Sequence, residues 1–314
     1  MTTETIPVTD KQSWLQARLH DITSTEVSAL YDLSPYRTEF DLYQEKRNQT
    51  IVEISDNERM RWGRNLESAI AHGAAEDMGW DISKFDVYMR NENRLGSSFD
   101  YKIHSVEDGD GILEIKNVDA VAYRNNWKDD GVNIEGPEHI ELQIQHQMEV
   151  ANLDWTALVC LVGGNTQKII YRDRDRQIGN DITEKVKAFW NRVDAGTPPK
   201  IDYLRDADYI IKKLRNQAEA GVILAADEDM DKLVDEYNTV SREYYSLGKT
   251  KDAIKAQILD LSQNASKIIS ANGTISCGMS KESKGKLITQ DMVGQYVNPR
   301  KSYRMFRFNS PKSN

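Results

Sequence analysis

Gly111-Ile112-Leu113-Glu114-Ile115-Lys116-Asn117, GILEIKN, reads as a short apolar strand that nonetheless carries two opposite charges. Side chains two apart in a strand point the same way, so Glu114 and Lys116 project together while Leu113 and Ile115 project to the other face. Such a pair marks either a half-solvated edge or a site. Upstream, LGSSFDY puts Asp100 at the end of another strand, ahead of the turn-rich EDGDG. An acid on one strand with Glu-x-Lys on the next is what hydrolysis of a phosphodiester needs. Asp100 and Glu114 offer hard oxygen ligands for Mg²⁺, and the main-chain carbonyl of Ile115 offers another. Lys116 is placed to orient an attacking water and stabilise its deprotonated form, while metal ions offset charge on the scissile phosphate. Taken alone the pattern is short enough to arise by chance, and its plain alternative is a same-face surface ion pair worth little.

Outward from this strand, the chain alternates helices and short strands. Thr23 and Glu26 have capping-box spacing ahead of Val27, Leu30 and Tyr31, so the opening reads as helix. A second helix is expected from Ser34-Pro35 to about Lys46, and a longer one from Asn57 to Met78, closing at Gly79. Phe85 to Val118 reads as a meander of antiparallel strands broken by NEN, GSS and EDGDG. Tyr123 to Lys128 reads as a helical turn and Pro137 to Asn152 as a helix. WTALVCLVGG reads as a buried strand, TQKIIYRD as its partner, and Ile182 to Val193 as a further helix.

AGTPPK, at 195 to 200, reads as the linker that separates an N-terminal domain, 1–195, from a mainly helical region, 201–314. There Met230, Leu233, Tyr237, Val240, Tyr244, Leu247, then Ile254, Ile258, Leu261 and Ile268 fall on alternating steps of three and four, with Lys251 and Ala265 in the remaining positions. This supports a coiled coil or a long helical hairpin, with a helix packed on its own domain as the alternative. Gly248 interrupts the series at a cost of about 1 kcal/mol. GTISCGMSKESKGKLIT reads as a hairpin. The last segment carries Arg300, Lys301, Arg304, Arg307 and Lys312 among aromatic rings, either as a solvated tail or as a nucleic-acid contact.

The 314 residues suffice for one large domain or two ordinary ones, with a core that needs no staples. Two cysteines make neither a disulfide framework nor a zinc set, which suits a reducing compartment. No segment resembles a secretory signal or approaches bilayer length, so a soluble intracellular protein is expected. The 41 Lys+Arg against 50 Asp+Glu give a net charge of -9, which argues only weakly against nucleic acid, since DNA-cleaving enzymes concentrate positive charge locally and need acids for metal.

Five segments in order, SWLQARLHDITSTEV, RWGRNLESA, GSSFDY, LEIKN and ELQIQHQMEV, resemble the lambda exonuclease and YqaJ viral recombinase family of the PD-(D/E)xK nuclease superfamily. The resemblance implies an α/β fold, a mixed sheet flanked by helices. It implies a Mg²⁺-dependent exonuclease, with two ions and Mn²⁺ as a substitute, that digests duplex DNA from the 5′ end and leaves 3′ single strands. Glu67 matches a helical glutamate bordering the metal site, Asp100, Glu114 and Lys116 match the acid and ExK positions, and Gln143 matches the first glutamine of a QxQ helix, with Gln145 the second. Arg18 matches an arginine that grips a terminal 5′ phosphate, with Thr25 and Ser98 contributing hydroxyls and Arg124 a candidate second arginine. Ile140 stands where the family has tyrosine, Thr25 where it has serine, and Phe99 where it has proline. Because Gln143 and Gln145 lie two apart on a helix, they cannot both face one point, and Gln143 is the better candidate.

The family, whose members form rings around DNA, further implies DNA ends as substrate, a single-strand annealing protein as partner, a homo-oligomer whose form the coiled-coil-like region can alter, and the cytoplasm of an infected bacterium. An endonuclease with the same core and a non-catalytic DNA-end binding protein remain as alternatives.

Overall fold

A computed structural model describes residues 2–7, 10–51, 57–215, 218–280 and 289–290. The chain divides into two compact units, Met1–Ile211 and Lys212–Asn314. The first unit runs β1 (Thr3–Pro7), α1 (Lys11–Leu19), β2 (Ile22–Thr23), a 3-10 turn (Val27–Tyr31), α2 (Glu39–Arg47), α3 (Glu58–Met78) and β3 (Asp81–Lys84). It continues with β4 (Val87–Asn91), β5 (Leu95–Ser98), β6 (Tyr101–His104), β7 (Gly111–Val118), α4 (Ala120–Asn126), β8 (Lys128–Asp129) and β9 (Ile134–Glu135). It closes with α5 (Glu138–Ala151), β10 (Trp155–Val162), β11 (Thr166–Asp173), α6 (Arg176–Ala195) and the short α7 (Ala207–Tyr209).

Local chemistry sets the helix ends. Asn57 caps α3 by accepting the Met60 N–H, and Gly79 ends it at φ 68°, a conformation that costs glycine little. Thr38 and Asp41 form a reciprocal box at the start of α2. Asp175 caps α6, which therefore starts earlier than its apolar run from Ile182 suggests. The Thr23 and Glu26 spacing is a real pairing, since the Thr23 N–H donates to Glu26 Oε2 at 3.0 Å, but it leads into a single 3-10 turn and not the expected helix.

The main sheet has the order β11-β10-β7-β6-β3. Its β7–β10 pair is parallel and the others antiparallel, a mixed sheet as the resemblance implies. Helices cover both of its faces. Leu113 and Ile115 pack with Ala157, Val159 and the α3 residues Ile70, Ala71 and Ala74. Ile112, Leu158 and Cys160 face the other way, toward Ile144 and Met148 of α5 and Ile182, Val186 and Phe189 of α6. Alternation along β7 therefore points Glu114 and Lys116 at α5.

The segment from Phe85 to Val118 is not one meander. β4 and β5 pair in a second sheet of order β1-β4-β5-β2, whereas β6 and β7 belong to the main sheet. The chain crosses between them through Phe99 and Asp100 alone, with Phe99 buried against Phe85 at 4.7 Å between ring centres. Asp100 thus stands where two sheets meet. The second sheet is also tightly fitted: a Cβ on Gly96 would lie 2.0 Å from the Tyr88 hydroxyl oxygen.

In the second unit, α8 (Glu228–Ser262) runs without a break through Gly248, and none of its residues is buried. The hairpin is β12 (Lys267–Ser270) with β13 (Gly273–Ser276), so Gly273 comes after the turn at φ 145° instead of opening the hairpin. Residues 281–288 of the expected hairpin and the basic tail from Arg300 to Lys312 lie outside the described residues. No helix among the described residues is long and apolar enough to cross a membrane.

Candidate active site

β7 delivers Glu114 into the space beneath α5, where it is almost wholly buried. Three groups donate to its carboxylate. Lys116 Nζ lies 2.5 Å and Gln143 Nε2 2.6 Å from Oε1, and Gln147 Nε2 lies 2.8 Å from Oε2. Lys116 also donates to Gln143 Oε1 at 3.3 Å. A buried carboxylate is tolerated only when so satisfied. Asp100, at the crossing between sheets, accepts the Ile115 N–H at 2.8 Å.

These groups act on one another electrostatically. Burial, then the negative charge of Glu114, pushes the Asp100 carboxyl well above the usual carboxylate range, with Glu67 adding to the push and Lys116 opposing it. Burial works against the Lys116 ammonium, but Glu114 and Asp100 outweigh it and hold its pKa above the ordinary lysine value. Lys116 is therefore a fixed cation at neutral pH.

The helix supplies its glutamines by spacing. Gln143 and Gln147 are four apart, hence on one face, and both reach Glu114. Gln145 points elsewhere, donating to the Asp173 carbonyl and accepting the Asp175 N–H, both at 2.9 Å. Gln147 is not among the residues the sequence singles out; the same rule of four, applied forward from Gln143, is the signal that finds it.

His146, between them, is fully buried, and its Nε2 donates to the Gly96 carbonyl at 3.1 Å. Burial pushes its imidazole down to about 4. The unfolded chain, with a histidine near pKa 6.5, takes up a proton that the folded chain refuses. The stability this group confers is thus complete above about pH 6.5 and is lost as pH falls through the folded value, by roughly 3 kcal/mol at pH 4. Urea midpoints measured from pH 7 to 4.5 are expected to fall less steeply for His146→Gln than for the native chain; equal slopes would remove His146 from the account.

A second group gathers at the end of α1. Arg18 donates to the hydroxyls of Thr23 at 3.2 Å and Thr25 at 3.3 Å, and its guanidinium lies 4.4 Å from the centre of the Trp14 ring. Trp14 Nε1 donates to Ser98 Oγ at 2.8 Å, so Arg18, Thr25 and Ser98 come together. Beneath them Lys46 Nζ donates to the Arg18 carbonyl at 2.7 Å and to Glu26 Oε2 at 2.9 Å. Burial opposes the charge on Glu26, yet Lys46, Arg18 and Arg37 hold its carboxyl down at about 2.

Two further expected residues lie outside this hydrogen-bonded group, Glu67 still close enough to Asp100 to raise its carboxyl. Glu67 on α3 pairs with Lys84 of β3 at 3.5 Å. Arg124 is exposed in the last turn of α4, whose Ala122, Asn125 and Asn126 line, with Lys116, Trp62, His139 and other residues of the first unit, a cleft of about 1990 Å³.

Among the described residues, no three His, Cys, Asp or Glu side chains converge as a ready-made metal cage. The donors present are hard oxygens on two mutually repelling carboxylates, Asp100 and Glu114. That chemistry fits Mg²⁺, which is commonly held by one or two carboxylates, with water and substrate phosphate completing its shell.

Residues 13–154 match the family model of the YqaJ-like viral recombinase domain. Over 216 residues the chain is 26% identical to the protein of Bacillus subtilis (strain 168) named "Uncharacterized protein YqaJ", a match covering 67% of this chain and 65% of that one. Among solved structures, an alkaline exonuclease (LHK-Exo) from Laribacter hongkongensis is similar at 18% identity and TM-score 0.47, covering 64% of this chain and 100% of that chain. A phage related exonuclease from Haemophilus somnus 129PT is similar at 14% identity and TM-score 0.39, covering 57% of this chain and 92% of that chain.

Proposed function

We propose, from the match of residues 13–154 to the family model of the YqaJ-like viral recombinase domain, that this protein is a Mg²⁺-dependent exonuclease that degrades duplex DNA from the 5′ end and leaves 3′ single strands. The observation that carries this proposal is the convergence of Asp100, Glu114 and Lys116, with Lys116 opening onto a wide cleft. Asp100, Glu114 and the Ile115 carbonyl would hold the divalent ions, Mn²⁺ substituting, with Glu67 bordering them. When bound, the ions supply positive charge and Lewis acidity at the scissile phosphate.

The chain's own groups do the rest. Glu114 and Gln143 fix the Lys116 ammonium in place. From there its remaining Nζ proton is available to orient the attacking water and to stabilise negative charge as that water loses a proton. Arg18 provides a planar cation for a terminal 5′ phosphate, and Thr25 and Ser98 add hydroxyl donors. Arg124, exposed on α4, would add a cation for the DNA backbone.

A 3′ single strand is the substrate of an annealing protein, which is the partner this activity calls for. The exposed three-four stripe of α8 supports self-association as a homo-oligomer. The bacterial cytoplasm is the compartment where such DNA processing takes place.

The test offers purified protein linear duplex with a 5′ phosphate, the same duplex with a 5′ hydroxyl, and covalently closed circular DNA, with Mg²⁺ or with EDTA. Loss of the linear 5′-phosphorylated strand, an intact circle and no reaction in EDTA are expected. Cutting of the circle would replace the exonuclease with an endonuclease; no cleavage with Mg²⁺ or Mn²⁺ would leave a DNA-end binding protein.

A further inference from the structure

Gln147 takes no part in the mechanism proposed for the exonuclease. It is 1% exposed, and its Nε2 donates to Glu114 Oε2 at 2.8 Å and lies 3.4 Å from the Ser98 carbonyl oxygen. Both partners are acceptors only, so the amide can face them with its nitrogen and not with its oxygen. The opposite end, Oε1, is buried without a hydrogen-bond partner. An unpaired buried carbonyl is destabilising, and leucine or methionine would avoid that cost only by leaving Glu114 Oε2 without its donor.

What the nitrogen does is join two places. Glu114 belongs to the reaction centre. Ser98 ends β5, its hydroxyl accepts from Trp14 Nε1 at 2.8 Å, and the Trp14 ring lies against the Arg18 guanidinium at 4.4 Å. One chain of contacts therefore runs from Glu114 through Gln147, Ser98 and Trp14 to Arg18. An anchored terminal phosphate can present a defined bond for cleavage only if the anchor and the reacting carboxylate keep their separation, because a displacement near 1 Å is enough to spoil a reactive geometry.

We propose that Gln147 is a positioning residue that fixes the distance between the terminal-phosphate pocket and Glu114, and so makes the protein select duplex ends bearing a 5′ phosphate. The proposal rests on the exonuclease function. Gln147 touches no reacting atom; it acts through Glu114 and through the main chain at Ser98.

The experiment compares the native protein with Gln147→Met, which keeps the bulk and removes the donor. Single-turnover rates with Mg²⁺ give the preference for a short duplex with a 5′ phosphate over the same duplex with a 5′ hydroxyl. Product lengths from the first turnovers with Mg²⁺ are read separately. Gln147→Met is expected to remain folded, to lose about tenfold in the phosphate-to-hydroxyl rate ratio, and to spread its first product over several lengths. An unchanged ratio together with an unchanged product length overturns the proposal and leaves the exonuclease function standing. A native protein that cuts no DNA with Mg²⁺ or Mn²⁺ overturns that function and the proposal with it. Should Gln147→Met fail to fold, Gln147→Asn, whose shorter amide cannot reach both acceptors, takes its place with the same outcomes.

Discussion

Lys116→Ala is expected to slow strand degradation by about 10³-fold or more, since a positioned group acting on the nucleophile contributes roughly 10²–10⁴-fold and its ammonium also serves the charge of the transition state. The loss should appear in single-turnover rates at saturating DNA, not in duplex affinity measured in EDTA. Lys116→Arg is expected to recover only part of the rate, because a guanidinium carries its charge in a plane that cannot reproduce a point cation held by Glu114 and Gln143. The fold should survive both changes, as two amide donors remain on Glu114. A Lys116→Ala variant that degrades DNA at the native rate would take Lys116 out of the mechanism.

Lys46→Met is expected to cost about 3–5 kcal/mol of stability, read as a fall in the urea midpoint at unchanged slope. Lys46 is 3% exposed and is bound both to Glu26 and to the Arg18 carbonyl, so its removal strands a buried carboxylate and frees the main chain that carries the Arg18 guanidinium. Arg37, 3.5 Å from Glu26, offers only a partial substitute. Adding Glu26→Leu to Lys46→Met should restore part of the loss, because replacing both members of a buried pair is far less damaging than replacing one. A single variant as stable as the native chain would show that Arg18 and Arg37 alone neutralise Glu26.

These two lysines mark what a sequence does and does not disclose. The side-by-side projection of Glu114 and Lys116 comes from the period of a strand, and the divergence of Gln143 and Gln145 comes from the period of a helix; both are found in the structure. The limits of α3 are equally legible, since Asn57 and Gly79 write their backbone preferences into the chain. Lys46 gives no such sign. It is separated by 20 positions from Glu26 and by 28 from Arg18, and a lysine near the end of an amphipathic helix ordinarily faces water. The second sheet is hidden for another reason, because β2 has only two residues and β1 lies far upstream of its partner β4, too little periodicity for a local pattern.

The passage through Phe99 and Asp100 carries an evolutionary consequence. With two residues between the sheets, one added residue would turn Tyr101 and Ile103 from the core toward water, and one deletion would drag Ser98 away from Trp14. Lengthening the chain between His104 and Gly111 would do neither. Descendants of this gene should therefore differ in size at the second place and almost never at the first.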